Sequence, residues 1–299
     1  MVISVCTVTY NHAKFIAETL EGVLMQQTKF NVELIICNDS STDNTSTIIG
    51  EFSKKEYIKK NIRVFHHQKN LGMKSNFIFA LKQCTGKYIA LCDGDDYWTD
   101  PNKLQKQIDE LEKNKNCIIS FHNVAIVNGC EKEMGLVYNQ PAGNLVFEDL
   151  LAGKFIKTPS MVFRNILDED IADFIVDDTT LGLYLLRNGG FAYYMDETMA
   201  AYRIHEGGIW SKKNSYERYL LCETAIQFIK RKYTDKSPLL TGKMLYNHYY
   251  EHLQYLFRER FYRHGFFLVS QLFRYKLLKF VRVKHIYHTL RTLVRSVLK

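Results

Sequence analysis

Tyr88-Ile89-Ala90-Leu91-Cys92-Asp93-Gly94-Asp95-Asp96-Tyr97-Trp98 passes directly from an apolar run to three carboxylates in four positions. The run Tyr88–Cys92 suits a strand buried on both faces. Crowding three carboxylates behind it costs Coulomb repulsion, and without a cation at least one of them has its pKa raised by its neighbours. A divalent ion removes that penalty and bridges to the oxygens of a diphosphate. The plainer reading is a solvated acidic turn in which Asp93 or Asp96 caps the next helix.

Working outward, further strands are expected at Ile3–Val8, Val32–Cys37, Ile62–His66 and Cys117–Val127, all rich in β-branched and aromatic residues. Helical patterns lie between them at Ala13–Gln26, Thr45–Tyr57, Lys74–Cys84 and Pro101–Lys113. In the last, Asp100 is the expected N-cap and Pro101 the first helical residue. Such alternation predicts a largely parallel sheet covered by helices on both faces, with ligands at the carboxyl ends of the strands. The polar groups sit there: Thr9-Tyr10-Asn11 after the first strand, Asn38-Asp39-Ser40-Ser41 after the second, and the acidic turn after the fourth. Neither the G-x-G-x-x-G fingerprint nor a phosphate-binding G-x-x-x-x-G-K-[ST] loop follows the first strand.

Composition is that of a globular protein, with 46% apolar and 24% charged residues among 299. Met1–Tyr10 has no basic start and no long apolar run, so no secretory signal is expected and the protein is read as cytoplasmic. The seven cysteines, Cys6, Cys37, Cys84, Cys92, Cys117, Cys130 and Cys222, are scattered without a C-x-x-C pair and read as buried reduced thiols. The net charge of +8 belongs to one end: Arg260–Lys299 holds ten Lys or Arg and no acid, so residues 1–259 carry −2.

Several runs together resemble glycosyltransferase family 2, the inverting family of GT-A fold. They are Val8-Thr9-Tyr10-Asn11, Glu33 through Asp43, Asn70-Leu71-Gly72, Thr85 through Ala90, and Asp93-Gly94-Asp95-Asp96-Tyr97-Trp98. Order and spacing match over roughly residues 1–210. The resemblance implies a Rossmann-like mixed, mostly parallel sheet flanked by helices, with a catalytic domain over 1–232 and a helical, basic-aromatic region over 233–299. It also implies a bacterial cell-surface polysaccharide setting. Its activity would be transfer of a sugar from a nucleotide diphosphate sugar, UDP above all, to a glycan or lipid-linked acceptor.

The same resemblance assigns roles. Asp39 would accept the N3–H of a uracil ring against Tyr10, with Thr9, Asn11 and Asn76 also lining the nucleotide sugar; the plain alternative for Asp39 is capping the helix near Thr42. Many family members have Asp where this chain has Asn38, which leaves the nucleotide open. Asp93 would contact the ribose, Asp95 would hold Mg²⁺ or Mn²⁺, and Asp96 would orient the metal's surroundings or the acceptor. Asp178, at the start of the helical run after Val176-Asp177, would be the general base, plain N-capping being the alternative. In Tyr202-Arg203-Ile204-His205, Arg203 and His205, two apart on a strand-like segment, share a face. Arg203 would pair with the diphosphate, and His205 would bind the metal or a phosphate. His66-His67 reads as an ordinary strand end, and Asn70 and Asn76 suit turns and caps equally well.

The acid-free tail mixes aromatic and basic residues over Phe261–Phe280. It has no apolar run near the ~20 residues that span a bilayer. An anionic membrane surface is its expected partner, placing the enzyme on the inner face of the cell membrane. No nucleic-acid motif is present. Two other readings exist: a sugar nucleotidyltransferase, which needs a glycine-rich basic loop after the first strand, and a catalytically inactive, membrane-associated scaffold of the same fold.

Overall fold

Strand and helix alternate from Val2 to Leu91 in the order β1 (Val2–Thr9), α1 (Ile16–Leu24), β2 (Asn31–Asn38), α2 (Thr45–Ser53), β3 (Ile62–His66), α3 (Met73–Gln83) and β4 (Tyr88–Leu91). Then follow β5 (Tyr97–Trp98), α4 (Lys103–Lys113), β6 (Cys117–Asn128), β7 (Glu133–Leu136), β8 (Gly143–Leu145), α5 (Phe147–Leu151), β9 (Val162–Arg164), α6 (Ile171–Phe174), α7 (Asp178–Leu186) and β10 (Phe191–Ile204). Three longer helices follow among the described residues: α8 (Ser215–Tyr233), α9 (Pro238–Arg258) and α10 (Tyr262–Arg274). This computed structural model describes residues 1–54, 61–128, 132–174, 178–208, 214–235, 237–258, 260, 262–274, 289 and 291–292. It divides into a unit of Met1–Phe147 with Phe155–Gly207 and a second of Glu148–Lys154 with Gly208–Lys299.

In the first unit the strands form one mixed sheet in the order β3-β2-β1-β4-β9-β6-β10-β5, with β7 on β6 and β8 on β10. Parallel pairing of β3, β2, β1 and β4 demands a crossover at each step, which α1, α2 and α3 supply. All four strands therefore end at one edge. Past β4 the pattern changes: β9 enters antiparallel between β4 and β6, and β10 runs parallel to β6. The chain leaving β4 doubles back as β5, pairing Trp98 with Ala200 and Tyr97 with Ala201 on β10. The acidic turn is thus pinned at both ends by the sheet.

Apolar side chains from strands and helices fill the space behind this turn, among them Ile3, Val5, Leu20, Ile36, Ala90, Cys92, Leu104, Ile108 and Val162, all fully or almost fully buried. Burial of each larger one contributes ~1.5–3 kcal/mol. Trp98 anchors the turn: its Nε1 donates to the Pro159 carbonyl at 3.0 Å, and Lys103 Nζ lies 4.1 Å from its ring centre. Gly22 lets α1 lie directly on this strand, because a Cβ there would fall 2.8 Å from the Trp98 carbonyl oxygen.

Helix starts differ from the sequence reading. Ala13–Phe15 form a turn in which Phe15 and Ile16 N–H both donate to the His12 carbonyl at 2.9 Å, so α1 begins at Ile16. Asp100 does not cap α4 directly. The helix starts at Lys103 after Asn102, and Asp100 braces it from outside, accepting from Asn102 N–H at 2.7 Å and Lys106 Nζ at 2.9 Å. Five of the described cysteines are buried and unpaired, Cys222 is half-buried, and Cys130 lies outside the described residues.

The second unit is helical. An Asn214–Glu217 capping box opens α8. Glu223 on α8 accepts from His248 on α9 at 3.0 Å, with Tyr219 stacked on the same imidazole at 5.3 Å. Helix α10 fits against α9 where Gly265 meets Phe257. It leaves Arg263, Phe266 and Phe267 exposed. Most of the basic tail, residues 275–288, lies outside the described residues. No described helix is long and apolar enough to cross a membrane.

Candidate active site

The turn between β4 and β5 is built around Gly94. Its N–H donates to the Val8 carbonyl at 2.9 Å. A Cβ at this position would fall 2.5 Å from Thr9 Oγ1 and 3.0 Å from His12 Nδ1, so only glycine brings the acidic turn this close to the end of β1. Asp96 points inward and is 2% exposed. Its Oδ1 accepts from Arg203 N–H at 2.9 Å, and its carbonyl accepts from Thr19 Oγ1 at 2.7 Å. Burial, then the charges of Asp95 and Asp93, hold its carboxyl well above the usual range. Asp96 therefore locks the turn to β10; it does not face a sugar or nucleotide as the sequence reading had it.

Asp95 is the residue the turn presents. Its Oδ2 lies 3.1 Å from His205 Nε2 and 3.6 Å from His12 Nε2. Burial pushes the Asp95 carboxyl up, but the His205 hydrogen bond and the two imidazoles outweigh it and hold the group below its ordinary value. His205 sits just past β10 against the Phe15 ring, 4.5 Å between centres. Its Nδ1 accepts from Gly207 N–H at 3.1 Å, so the neutral ring carries its proton on Nε2, toward Asp95. Burial lowers the pKa of His12 despite the opposing charge of Asp95.

Arg203 is not poised over a phosphate. Its side chain has no exposed surface, and its guanidinium lies 4.7 Å from the ring centres of both Phe15 and Tyr97. It donates to the Asp95 carbonyl and to the Glu18 carboxylate on α1. Five rigid donors on a planar cation suit this bracing role. Arg203 thus fixes the backbone from which Asp95 projects, a correction to the diphosphate contact expected from the sequence.

At the neighbouring strand ends, Asn11 adopts a left-handed φ of 55° and ties two loops together, its Oδ1 accepting from Thr42 N–H at 2.8 Å while its own N–H donates to Ser41 Oγ at 2.9 Å. Asp39 does not cap α2, whose N-cap is Asn44; Asp43, one residue earlier, accepts from Thr45 N–H at 3.0 Å. Instead the two Asp39 oxygens accept Leu71 N–H at 2.7 Å and Gly72 N–H at 2.9 Å, holding the segment that leads into α3. Tyr10 is 43% exposed at the same edge, whereas Thr9 is buried with its hydroxyl unpartnered. Asn76 is buried, donating to the Cys37 carbonyl at 3.1 Å and lying 3.0 Å from His67 Nε2, so it braces β2 rather than lining an open pocket. Asp93 is half-buried at the mouth of the turn. Asp178 is the first residue of α7; its side chain, Asp177 and Trp210 lie outside the described residues.

Two donor sets among the described residues have the spacing of a cation site: Asp93, Asp95 and Asp96, and His12, Asp95 and His205, each within 4.8 Å. Since Asp96 is committed to β10, the second set, with mixed nitrogen and oxygen donors, is the more available to a divalent ion. Sequence reasoning missed His12, Phe15 and Glu18. The signal for His12 was present: it follows Thr9-Tyr10-Asn11 at the same sheet edge.

With this geometry in view, the comparisons with known proteins are specific. The family model Glycosyl transferase family 2 matches residues 4–168. An uncharacterized protein of Mycobacterium tuberculosis is 37% identical over 211 residues, covering 69% of this chain but only 60% of that protein. The chain thus spans less than two thirds of that relative's length. Staphylococcus aureus TarS 1–349 in complex with UDP-GlcNAc superposes with a TM-score of 0.61 at 20% identity, over 99% of this chain and 81% of that one. The mannosyltransferase PcManGT of Pyrobaculum calidifontis, in complex with GDP-Man and Mn²⁺, gives 0.62 at 13% identity, over 99% and 86%. The last two likenesses establish the fold.

Proposed function

The chain belongs to glycosyl transferase family 2, and on that premise we propose that it transfers a sugar from a nucleotide diphosphate sugar to an acceptor hydroxyl with inversion at C1. The observation that carries the reading is the meeting of Asp95 with two imidazoles at the strand edge where buried Asp39 and exposed Tyr10 also lie. Asp39 keeps lone pairs beyond its two backbone bonds and so can accept the imide N–H of a uracil, with Tyr10 against the ring. UDP is accordingly the favoured carrier. Asp93 at the mouth of the turn is placed to meet the ribose.

Asp95 and its imidazole neighbours would hold Mg²⁺ or Mn²⁺, which when bound supplies Lewis acidity against the charge developing on the departing diphosphate. Arg203 and Asp96 keep Asp95 in place from behind. Asp178, at the N-terminus of α7, is the proposed base that takes the acceptor proton as the oxygen attacks from the face opposite the diphosphate. The acceptor is proposed to be a lipid-linked or surface glycan met at the cytoplasmic face of the membrane. Exposed Phe266 and Phe267 beside Arg263 on α10 support that docking.

Calorimetry with UDP and Mn²⁺ tests the core of the reading. Binding that needs the metal and vanishes in Asp95→Asn is expected; no binding of UDP, GDP or their sugars under any metal condition would favour the inactive-scaffold reading. A nucleotide-sugar panel assayed for donor hydrolysis then identifies the sugar. For the membrane, Phe266→Asp/Phe267→Asp in the full chain should reduce co-sedimentation with anionic vesicles, and unchanged, salt-insensitive partition would end that part of the proposal.

A further inference from the structure

The roles above do not say which imidazole beside Asp95 would meet the ion: His12 Nε2 lies 3.6 Å from Asp95 Oδ2, while His12 Nδ1 and Thr9 Oγ1 are buried and unpartnered. His12 is placed with care. Its N–H donates to Thr45 Oγ1 at 2.9 Å, its carbonyl starts α1, and its ring stands edge-on to His205 at 5.9 Å. The absence of a side chain at Gly94 is what admits the ring to this position.

The two histidines are chemically distinct. His205 Nδ1 is engaged by Gly207 N–H, so its Nε2 carries the proton and donates to Asp95; to offer that nitrogen to a cation it must change tautomer and give up Gly207. His12 has no such partner. The tautomer with the proton on Nδ1 leaves the Nε2 lone pair directed to the Asp95 side; Nδ1 and Thr9 Oγ1 both lie close to where a Gly94 Cβ would fall, and neither has a hydrogen-bond partner.

We infer that His12, through Nε2, is a direct ligand of the cation at Asp95, making the site a nitrogen-containing one that selects Mn²⁺ or a later transition metal over Mg²⁺. This rests on the proposed metal-dependent transfer but does not follow from it, since an all-carboxylate turn would serve the same reaction with Mg²⁺. Imidazole nitrogen is a poor donor for Mg²⁺ and a good one for the later first-row ions.

The test uses the full chain with Mn²⁺, alone and with UDP or GDP. Binding is followed by loss of the free-ion electron paramagnetic resonance signal, and ligation by the ¹⁴N couplings in pulsed spectra. For His12→Ala and His12→Asn, Mn²⁺ affinity should fall on the order of 10- to 100-fold. One imidazole ¹⁴N coupling should disappear, and the Mn²⁺-over-Mg²⁺ preference should narrow. The inference is overturned if both His12 variants keep Mn²⁺ affinity within twofold and an unchanged ¹⁴N pattern while Asp95→Asn loses the ion. If the wild-type chain binds no Mn²⁺ in any condition, the metal reading of the whole site falls with it. Circular dichroism on each variant separates loss of a ligand from loss of the fold.

Discussion

Replacing Lys103 by Met should change how stability depends on pH. Lys103 is fully buried on α4, its Nζ donating to Gln107 Oε1 at 2.8 Å and facing the Trp98 ring. Burial pulls its pKa from 10.5 down to about 7. At 1.36 kcal/mol per pH unit, that difference corresponds to about 5 kcal/mol of destabilisation when the folded chain must hold the proton. Between pH 7 and 10.5 the unfolded chain binds this proton and the folded one does not, so this contribution rises with pH. The cost is complete below pH 7 and disappears above 10.5. Urea unfolding of wild type and Lys103→Met at several pH values from 6.5 to 10 isolates the effect, because lost packing and the Gln107 bond cancel from the slope. The difference in unfolding free energy should move by ~4 kcal/mol in favour of the wild type between pH 7 and 10. A difference flat to within ~0.5 kcal/mol across the range would refute a neutral buried lysine.

Asp95→Asn should lower turnover on the order of 10³-fold, with metal-dependent donor binding lost in calorimetry; near-normal rates would contradict its role. Asp178→Asn should leave donor binding intact while kcat falls ~10²–10⁴-fold, and an equal loss of donor affinity would point to a binding role instead. Gly94→Ala should destabilise by ~1–3 kcal/mol through overpacking against Thr9 and His12, read as a lower urea midpoint. Thr9→Gly in the same chain should recover part of that loss, because the two sites share one contact.

The parallel half of the sheet was legible because each of its strands is an apolar run followed by an amphipathic segment, a local pattern. Val162–Arg164 carried no such signal: three residues entering the sheet between β4 and β6 are specified by tertiary pairing alone. The acidic turn was legible for the same local reason, whereas the different roles of Asp95 and Asp96 were read from the family resemblance and not from the turn's own residues. Their divergence arises from β10, more than a hundred residues later, which supplies Arg203 N–H to one and His205 to the other. Arg203 was read as a diphosphate contact from its strand position and the family pattern; its burial depends on Phe15, Tyr97 and Glu18, none of which is near it in sequence. Capping, the alternative for Asp39, is a local signal, whereas its partners are the distant amides of Leu71 and Gly72.

The Glu18–Arg203 pair spans 185 positions, and that distance has a kinetic meaning. Ordering so large a loop precedes any reward from the contact, so closure of this latch belongs to the last stage of folding. A nascent chain on the ribosome forms β1 to β4 and their helices well before residue 203 emerges, and during that interval Asp95 stands beside neither His205 nor a braced backbone. The chain therefore gains its ion-binding geometry in one late event, after its hydrophobic scaffold is already set.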